Sequence, residues 1–389
     1  MRICLAAFHL EHGIAGETAA IFNLRNGLAE RGLDITLLTP RVKKVDTAAR
    51  PISHNEAVWF KVFNLMQGIR KLNTLSEQMD IVHLQLPTPA FSCMADMVKT
   101  GKRSKKVVVF EGHLNDISWA KLVSQLPHAF RFYLVRALFN GKTIARLSRF
   151  KADQYVVSSA YQKRELLSLG VTQERIEVIP TMVKESTASC SRQEARQALR
   201  LGEEPLITYI GHFFHAKGVE TLIDAFPGIL KRHPHARLIL AWSGLGPRER
   251  IERHLKKKNI LKESMIMGTV DVFRLMAASD VLVLPYAFSF GTICYPSIII
   301  EAFSSGIPLV TSDIGPLKEL CDDNRALLVC PNDPEAVTKT VLTLFSDKNL
   351  CETMRKKQRD FFSSQLAPHL VLDRYLRLYE KLMDTTPSQ

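Results

Sequence analysis

The sequence predicts an α/β protein built from two doubly wound parallel-sheet domains, and three observations carry that prediction. Short apolar, β-branched-rich runs alternate with stretches of helical period: DITLLT, DIVHLQL, KKVVVFEG, QYVVSS, RIEVIP, PLITYIG, RLILAWSG, DVLVLP and IPLVTS. Runs of this kind are strands covered on both faces, as in parallel sheets whose crossovers are helices. At 389 residues the chain is long for a single core. The alternation also pauses once, at KESTASCSRQEARQALRLGEEP (184–205), and restarts with a strand at Pro205. That polar pause places the domain junction near Met182–Pro205, with a central cleft expected between the two halves.

Taken in order, MRICLAAFHLEHG opens with a short apolar run. It lacks a long apolar region or a small-residue cleavage site, so it predicts a first strand and not a signal peptide. The first domain is expected over 1–183 and a linker over 184–204. The linker contains an S-x-x-E capping box from Ser191 to Glu194, which marks a helix start. The second domain is expected over 205–365. An amphipathic segment at 366–383 ends the chain within a terminal span of 366–389. The charge-free run from Val281 to Ile300 has the length of a membrane span. Pro285, Gly291 and Pro296 break it, so a strand, a loop and a helix start account for it better. Localisation is expected to be cytoplasmic, with possible peripheral attachment at the inner membrane face.

Composition narrows the classes. A 46% hydrophobic and 23% charged chain is an ordinary globular protein. The seven cysteines are scattered and include no CxxC pair, which argues against a disulfide framework or a zinc cluster and for reduced thiols. The net charge of +13 is uneven: residues 1–175 hold 25 Lys/Arg against 14 Asp/Glu, and the remainder 27 against 25. An anionic partner is therefore expected for the first half alone. Two stretches concentrate the charge, KTGKRSKK (99–106) and FRFYLVRALFNGKTIARLSRFK (130–151). The second could form an interfacial amphipathic helix, but a helix packed on its own sheet with a solvated basic face is the favoured reading, because ordinary surface helices show the same pattern. No basic–aromatic platform for nucleic acid is present.

In doubly wound sheets ligands bind at the carboxyl ends of strands, often on helix N-termini. Three loops occupy such positions. HLEHGIAGET (9–18) follows the first strand, and its Gly13 and Gly16 allow backbone amides to approach an anion. His9, Glu11 and His12 there lack a third-ligand pattern for a metal and are taken as loop residues. GHFFHAKGVETL (211–222) follows the first strand of the second domain; Lys217 beside Gly218 is a candidate phosphate ligand, with Gly211 and His212 behind it. In GTICYPSIIIEAFSSGIPLV (291–310), Pro296 suits the first helical position, which would leave N–H groups free at Ser297, Ile298 and Ile299. Glu301 follows about one turn later as the only charge in an apolar run, within reach of hydroxyls on whatever anion the helix end holds.

GHFFHAKGVETLIDAF, YPSIIIEAFSSGIPLVTSDIG and LLVCPNDPEAV resemble the donor-binding half of the family-4 retaining glycosyltransferases of the GT-B fold. GIAGETAAIFNLRNGLAERGLDITLLT, DIVHLQLP and SSAYQKRELLSLGVTQERIEVIP resemble that family's acceptor domain, and the last helix resembles the segment that crosses back onto it. The resemblance implies two Rossmann-like domains facing a cleft. It also implies transfer of a sugar from a nucleotide-diphosphate sugar to a glycan, lipid-linked or small-molecule acceptor with retention, as in polysaccharide or cell-envelope biosynthesis. No cofactor is implied beyond the donor, and the absence of a DxD motif fits a metal-independent enzyme.

Residue by residue, Lys217 matches the family's diphosphate-binding Lys and His212 takes the slot usually held by Arg. Glu301 matches the second acid of the Glu-x7-Glu motif, which holds the ribose, whereas the first acid's position is Ile293. Tyr295 and Pro296 stand on the usual Phe and Gly, and Gly16 matches the glycine loop. The family's sugar-contacting His falls at FEGH, where the strict position is Glu111 and a histidine follows at His113. The implied catalytic set is Lys217, His212, Glu301 and His113. Donor and backbone contacts are implied at Gly16, Gly211, Ser297, Ile298, Ile299 and Glu301. Two alternatives accompany this expectation: a nucleotide-sugar epimerase on the same fold, and a catalytically silent partner protein, for which Ile293 is the motive.

Overall fold

The computed structural model describes residues 1–7, 16–39, 56–58, 65–112, 114, 145–146, 148–184, 190–288 and 294–384. His113, Ile293, the loop residues His9, Glu11, His12 and Gly13, and most of the basic stretch 130–151 lie outside the described residues.

The described chain divides into two compact units. One takes residues 1–183, 294–295 and 368–384, and the other 184–292 and 296–367. In the first, the described strands are β1 (Arg2–Ala7), β2 (Asp34–Thr39), β3 (Glu56–Val58), β4 (Ile81–Leu86), β5 (Lys105–Phe110), β6 (Gln154–Val157) and β7 (Ile176–Val178). They form one parallel sheet in the order β3-β2-β1-β4-β5-β6-β7. The second unit has β8 (Leu206–Gly211), β9 (Arg237–Trp242), β10 (Ser264–Met267), β11 (Val281–Leu284), β12 (Leu309–Ser312) and β13 (Leu327–Val329). Their order is β10-β9-β8-β11-β12-β13, again parallel. Each order reverses once, between β1 and β4 in the first sheet and between β8 and β11 in the second. Ligands of doubly wound sheets bind outside the carboxyl ends at such reversals.

The apolar runs form strands because both faces are covered. Along β1, Ile3, Leu5 and Ala7 enter one core cluster while Cys4 and Ala6 enter the other. The last helix, Pro368–Asp384, belongs to the first cluster through Val371, Leu372, Tyr375, Leu378, Tyr379 and Leu382, spaced three or four apart along one helical face. Each such side chain contributes roughly 1.5–3 kcal/mol of apolar burial before chain entropy is subtracted.

Two boundaries differ from expectation. The span 184–204 is not a linker throughout. Ser191 caps a helix at Arg192–Ala198 through the expected box with Glu194, and that helix is anchored in the second unit. Its Arg196 is 1% exposed and donates from Nε to the Ala278 carbonyl and from Nη2 to Asp280. A buried guanidinium demands such partners, and they fix the helix to the second sheet. The terminal helix begins at Pro368 and not at 366, because Phe362–Leu366 forms a π-turn before it. All seven cysteines are free thiols. Among the described residues no helix is long and apolar enough to cross a membrane.

Candidate functional site in the second unit

The reversal between β8 and β11 gathers the second unit's candidate residues. The β8 strand ends at Gly211, and a 3-10 turn at His215–Lys217 leads through Gly218 into the helix Val219–Leu230. Gly218 has φ +71°, and a Cβ there would lie 1.7 Å from the Pro285 carbonyl oxygen just past β11. Only glycine permits this approach. The Ala287 N–H donates to the Ala216 carbonyl at 3.1 Å, completing the seam between the two loops. Lys217 is half-buried, with Nζ 5.1 Å from the Tyr286 ring centroid. A cation held over an aromatic face beside a helix start is an anion-binding arrangement.

Around Lys217 the turn is clamped. Glu220 bonds His215 Nδ1 through one carboxylate oxygen at 2.6 Å and accepts from Arg250 through the other at 2.7 Å. Burial pushes the Glu220 carboxyl up, but the His215 hydrogen bond and the Arg250 charge outweigh it, and it rests below the usual range. His212 follows β8 directly. Its Nδ1 is hydrogen-bonded to the Ser243 hydroxyl past the end of β9, and its carbonyl accepts from the Tyr209 hydroxyl at 2.6 Å. Gly246, at φ +94°, brings that neighbouring loop against the Phe213 backbone.

The loop after β11 leads to the helix Ser297–Ser305. Pro296 is its N-cap and not its first helical residue. The Ile299 N–H donates to the Pro296 carbonyl at 2.9 Å, so the expected free amide at Ile299 is not free; a 3-10 first turn consumes it. Among the described residues, the Ser297 and Ile298 amides have no such bond. Glu301 is half-buried one turn in, and among the described residues its carboxylate has no hydrogen bond or ion pair. Burial alone pushes its pKa up to about 7. A carboxyl kept near apolar atoms without a partner carries a cost that a structural acid avoids, so it is poised to accept hydrogen bonds from something added.

In the first unit, Glu111 stands just past β5 and is 5% exposed. The Gln85 side-chain amide donates to it. Gly16 begins the helix Gly16–Glu30 that follows β1. The structure therefore brings Gly211, His212 and Lys217 to the β8 end, and Ser297, Ile298 and Glu301 to a helix that opens after the adjacent β11. Sequence reasoning missed Ser243, Tyr286 and the Glu220 clamp. Ser243 and Tyr286 each lie immediately beyond a strand-end run, which was the available signal; Glu220 reads as an ordinary acid of a first helical turn.

The chain matches the model described as Glycosyltransferase Family 4 over residues 15–186 and the model described as Glycosyl transferases group 1 over residues 204–347. An uncharacterized glycosyltransferase of Methanocaldococcus jannaschii is 24% identical over 375 residues, covering 89% of this chain and 90% of that protein. Among solved structures, Anabaena HepE in complex with UDP and glucose superposes with a TM-score of 0.73 at 15% identity, over 98% of this chain and 99% of that one. WaaG, a glycosyltransferase involved in lipopolysaccharide biosynthesis, superposes with a TM-score of 0.70 at 17% identity, over 97% and 99%. The architecture is the GT-B fold. With one family model on each unit, the chain belongs to the family-4, group 1 glycosyltransferases.

Proposed function

We propose that this glycosyltransferase takes its sugar from a nucleotide-diphosphate donor and transfers it, with retention, to a hydroxyl of a glycan or lipid-linked acceptor. The observation that carries the proposal is Glu301: a half-buried carboxylate with no hydrogen bond or ion pair among the described residues, one turn into a helix that opens beside the Lys217 loop. Ribose hydroxyls are donors of the kind such a carboxylate accepts, and a diphosphate is the anion that a lysine and helix amides hold. The solved relative with UDP and glucose bound supports the donor class, and the involvement of WaaG in lipopolysaccharide synthesis supports an envelope acceptor.

In this mechanism the bond between the sugar's anomeric carbon and the terminal phosphate oxygen breaks as the acceptor oxygen bonds to the same carbon. The acceptor's proton passes to the departing phosphate oxygen, and the products are the glycosylated acceptor and the nucleoside diphosphate. Lys217, His212 and the Ser297 and Ile298 amides stabilise the charge developing on the diphosphate, in the place a metal ion takes in other transferases. Glu301 holds the ribose and so fixes the donor's register. His113 and Gly16 remain the resemblance's candidates for contacts from the first unit.

The test begins with a thermal-shift screen of uridine, guanosine and adenosine diphosphates and their sugars, followed by transfer assays with and without EDTA. Lys217→Ala should weaken nucleotide-sugar binding by about 10- to 100-fold, the worth of one charge-assisted hydrogen bond. Its melting temperature should stay close to the parent's. Unchanged affinity would remove Lys217 from the site, EDTA sensitivity would overturn the metal-independent step, and donor conversion without acceptor would make the protein an epimerase.

A further inference from the structure

The fold joins two basic stretches that lie far apart in sequence. The loop 98–104 enters β5 and the segment 148–153 enters β6, so both stand at the amino ends of their strands. Asp96 ties them together: it accepts from the Ser148 hydroxyl at 2.8 Å and from the Arg149 and Lys151 amides at 2.6 and 2.9 Å. The first loop is pinned separately. The Lys99 amide donates to Asn73 Oδ1 at 2.8 Å, and the Ser104 hydroxyl donates to the Ser76 and Met79 carbonyls at 2.6 Å each.

The result is a fixed face bearing exposed Lys99, Lys102, Arg103, Arg149 and Lys151. Among the described residues none of the five makes an ion pair. The acids beside them are already engaged or outnumbered. Asp96 is spent on the three donors above, Asp153 pairs with Lys105 and accepts from the Lys106 amide, and Glu77 beside Gly101 is a single exposed carboxylate. Met97, at 44% exposure, sits on the same loop end with its side chain in water.

We infer that this face docks the protein on an anionic lipid surface. Unpaired lysines and arginines supply the headgroup attraction, and Met97 is an apolar group to enter the interface. A nucleic acid is the less suited occupant, because among the described residues the face carries no exposed aromatic ring on which bases stack. Among the described residues the cations are spread over two loop ends and are not gathered around one point, as a single free phosphate would require. The face lies at the end of the sheet opposite Gln85 and Glu111, so a bound membrane leaves the first unit's ligand end turned outward. This inference does not depend on the donor proposed above; lipid docking and nucleotide-sugar binding are measured separately.

The experiment is cosedimentation of the whole chain with vesicles of phosphatidylcholine alone and of phosphatidylcholine mixed with phosphatidylglycerol, at low and high salt. Binding is expected only with phosphatidylglycerol and should fall steeply with salt. Each surface cation contributes about fivefold, so Lys102→Gln, Arg103→Gln, Arg149→Gln and Lys151→Gln together should reduce binding a hundredfold or more. Among the described residues those four exposed side chains make no hydrogen bond or ion pair, so the melting temperature should hold. Met97→Ser should weaken binding severalfold at unchanged charge. Binding indifferent to phosphatidylglycerol, retention by the fourfold variant, or displacement of the vesicles by random-sequence RNA at equal charge would overturn the inference.

Discussion

Glu111 and Glu301 occupy comparable places, each near the carboxyl end of a central parallel strand or just into the helix that follows, and the protein treats them in opposite ways. Glu111 is almost fully buried and receives the Gln85 amide. Beside it, His83 Nδ1 is 2.7 Å from the Tyr379 hydroxyl of the last helix, and burial holds that imidazole down to a pKa of about 3. Glu301 is more open, has no hydrogen bond or ion pair among the described residues, and is raised to about 7. Buried polar groups with partners hold a fold together, whereas a desolvated one without a partner costs stability. The first sheet's end is thus a closed network that secures the terminal helix; the second's is left to be completed.

The largest effect that sharpens this contrast is expected at the seam under Lys217. Gly218→Ala adds a Cβ 1.7 Å from a backbone oxygen at φ +71°, which neither a rotamer change nor a small shift relieves. Unfolding should be easier by several kcal/mol, and nucleotide-sugar binding should be lost with the loop. Parent-like melting with intact binding would show that the seam does not organise the site.

A smaller effect tests the closed end. Tyr379→Phe leaves the His83 imidazole buried without its partner, at a cost of about 1–3 kcal/mol. Chemical denaturation should register that loss while nucleotide-sugar affinity stays unchanged. A selective loss of affinity at parent stability would mean that this network belongs to the binding site and that the contrast is drawn wrongly.

The smallest effect comes from relieving the open end. Glu301 has a folded pKa raised from its ordinary value to about 7, so its burial costs stability progressively as pH rises from that ordinary value to about 7; the penalty is full above this window and absent below its unfolded pKa. Glu301→Gln should therefore raise the melting temperature at pH 8 and leave it unchanged at pH 4. The gain corresponds to about 1–3 kcal/mol. Destabilisation at pH 8 would mark Glu301 as a structural acid.

How far the sequence revealed this follows from which interactions are local. The strands were legible because two-sided burial writes continuous apolar runs, as in β1 and β11. The Lys217 loop and the helix at Ser297–Ser305 were legible because glycine and proline punctuate them. The Ile299 amide was misjudged because a single 3-10 bond at the first turn leaves no mark in residue type. The helix Arg192–Ala198 announced its start with a capping box, but its allegiance to the second unit depends on Arg196 reaching Ala278 and Asp280, more than 80 residues away. The His212–Ser243 and Glu220–Arg250 pairs are hidden for the same reason. Side-chain pairings across neighbouring loops depend on strand order, which no local pattern states.

The measurement that bears most directly on the central claim is the pH dependence of nucleotide-sugar affinity in the parent and in Glu301→Gln. A nucleotide sugar suits the purpose because its diphosphate diester does not titrate near neutrality. If ribose hydroxyls donate to Glu301, the ionised form binds, and the free protein must lose a proton whose pKa is about 7. Affinity should then rise about tenfold from pH 6 to pH 8 in the parent. It should be flat with pH in Glu301→Gln, and at least about tenfold weaker than the parent at pH 8. Parallel pH profiles and equal affinities at pH 8 would contradict the account and leave Glu301 without a part in holding the donor.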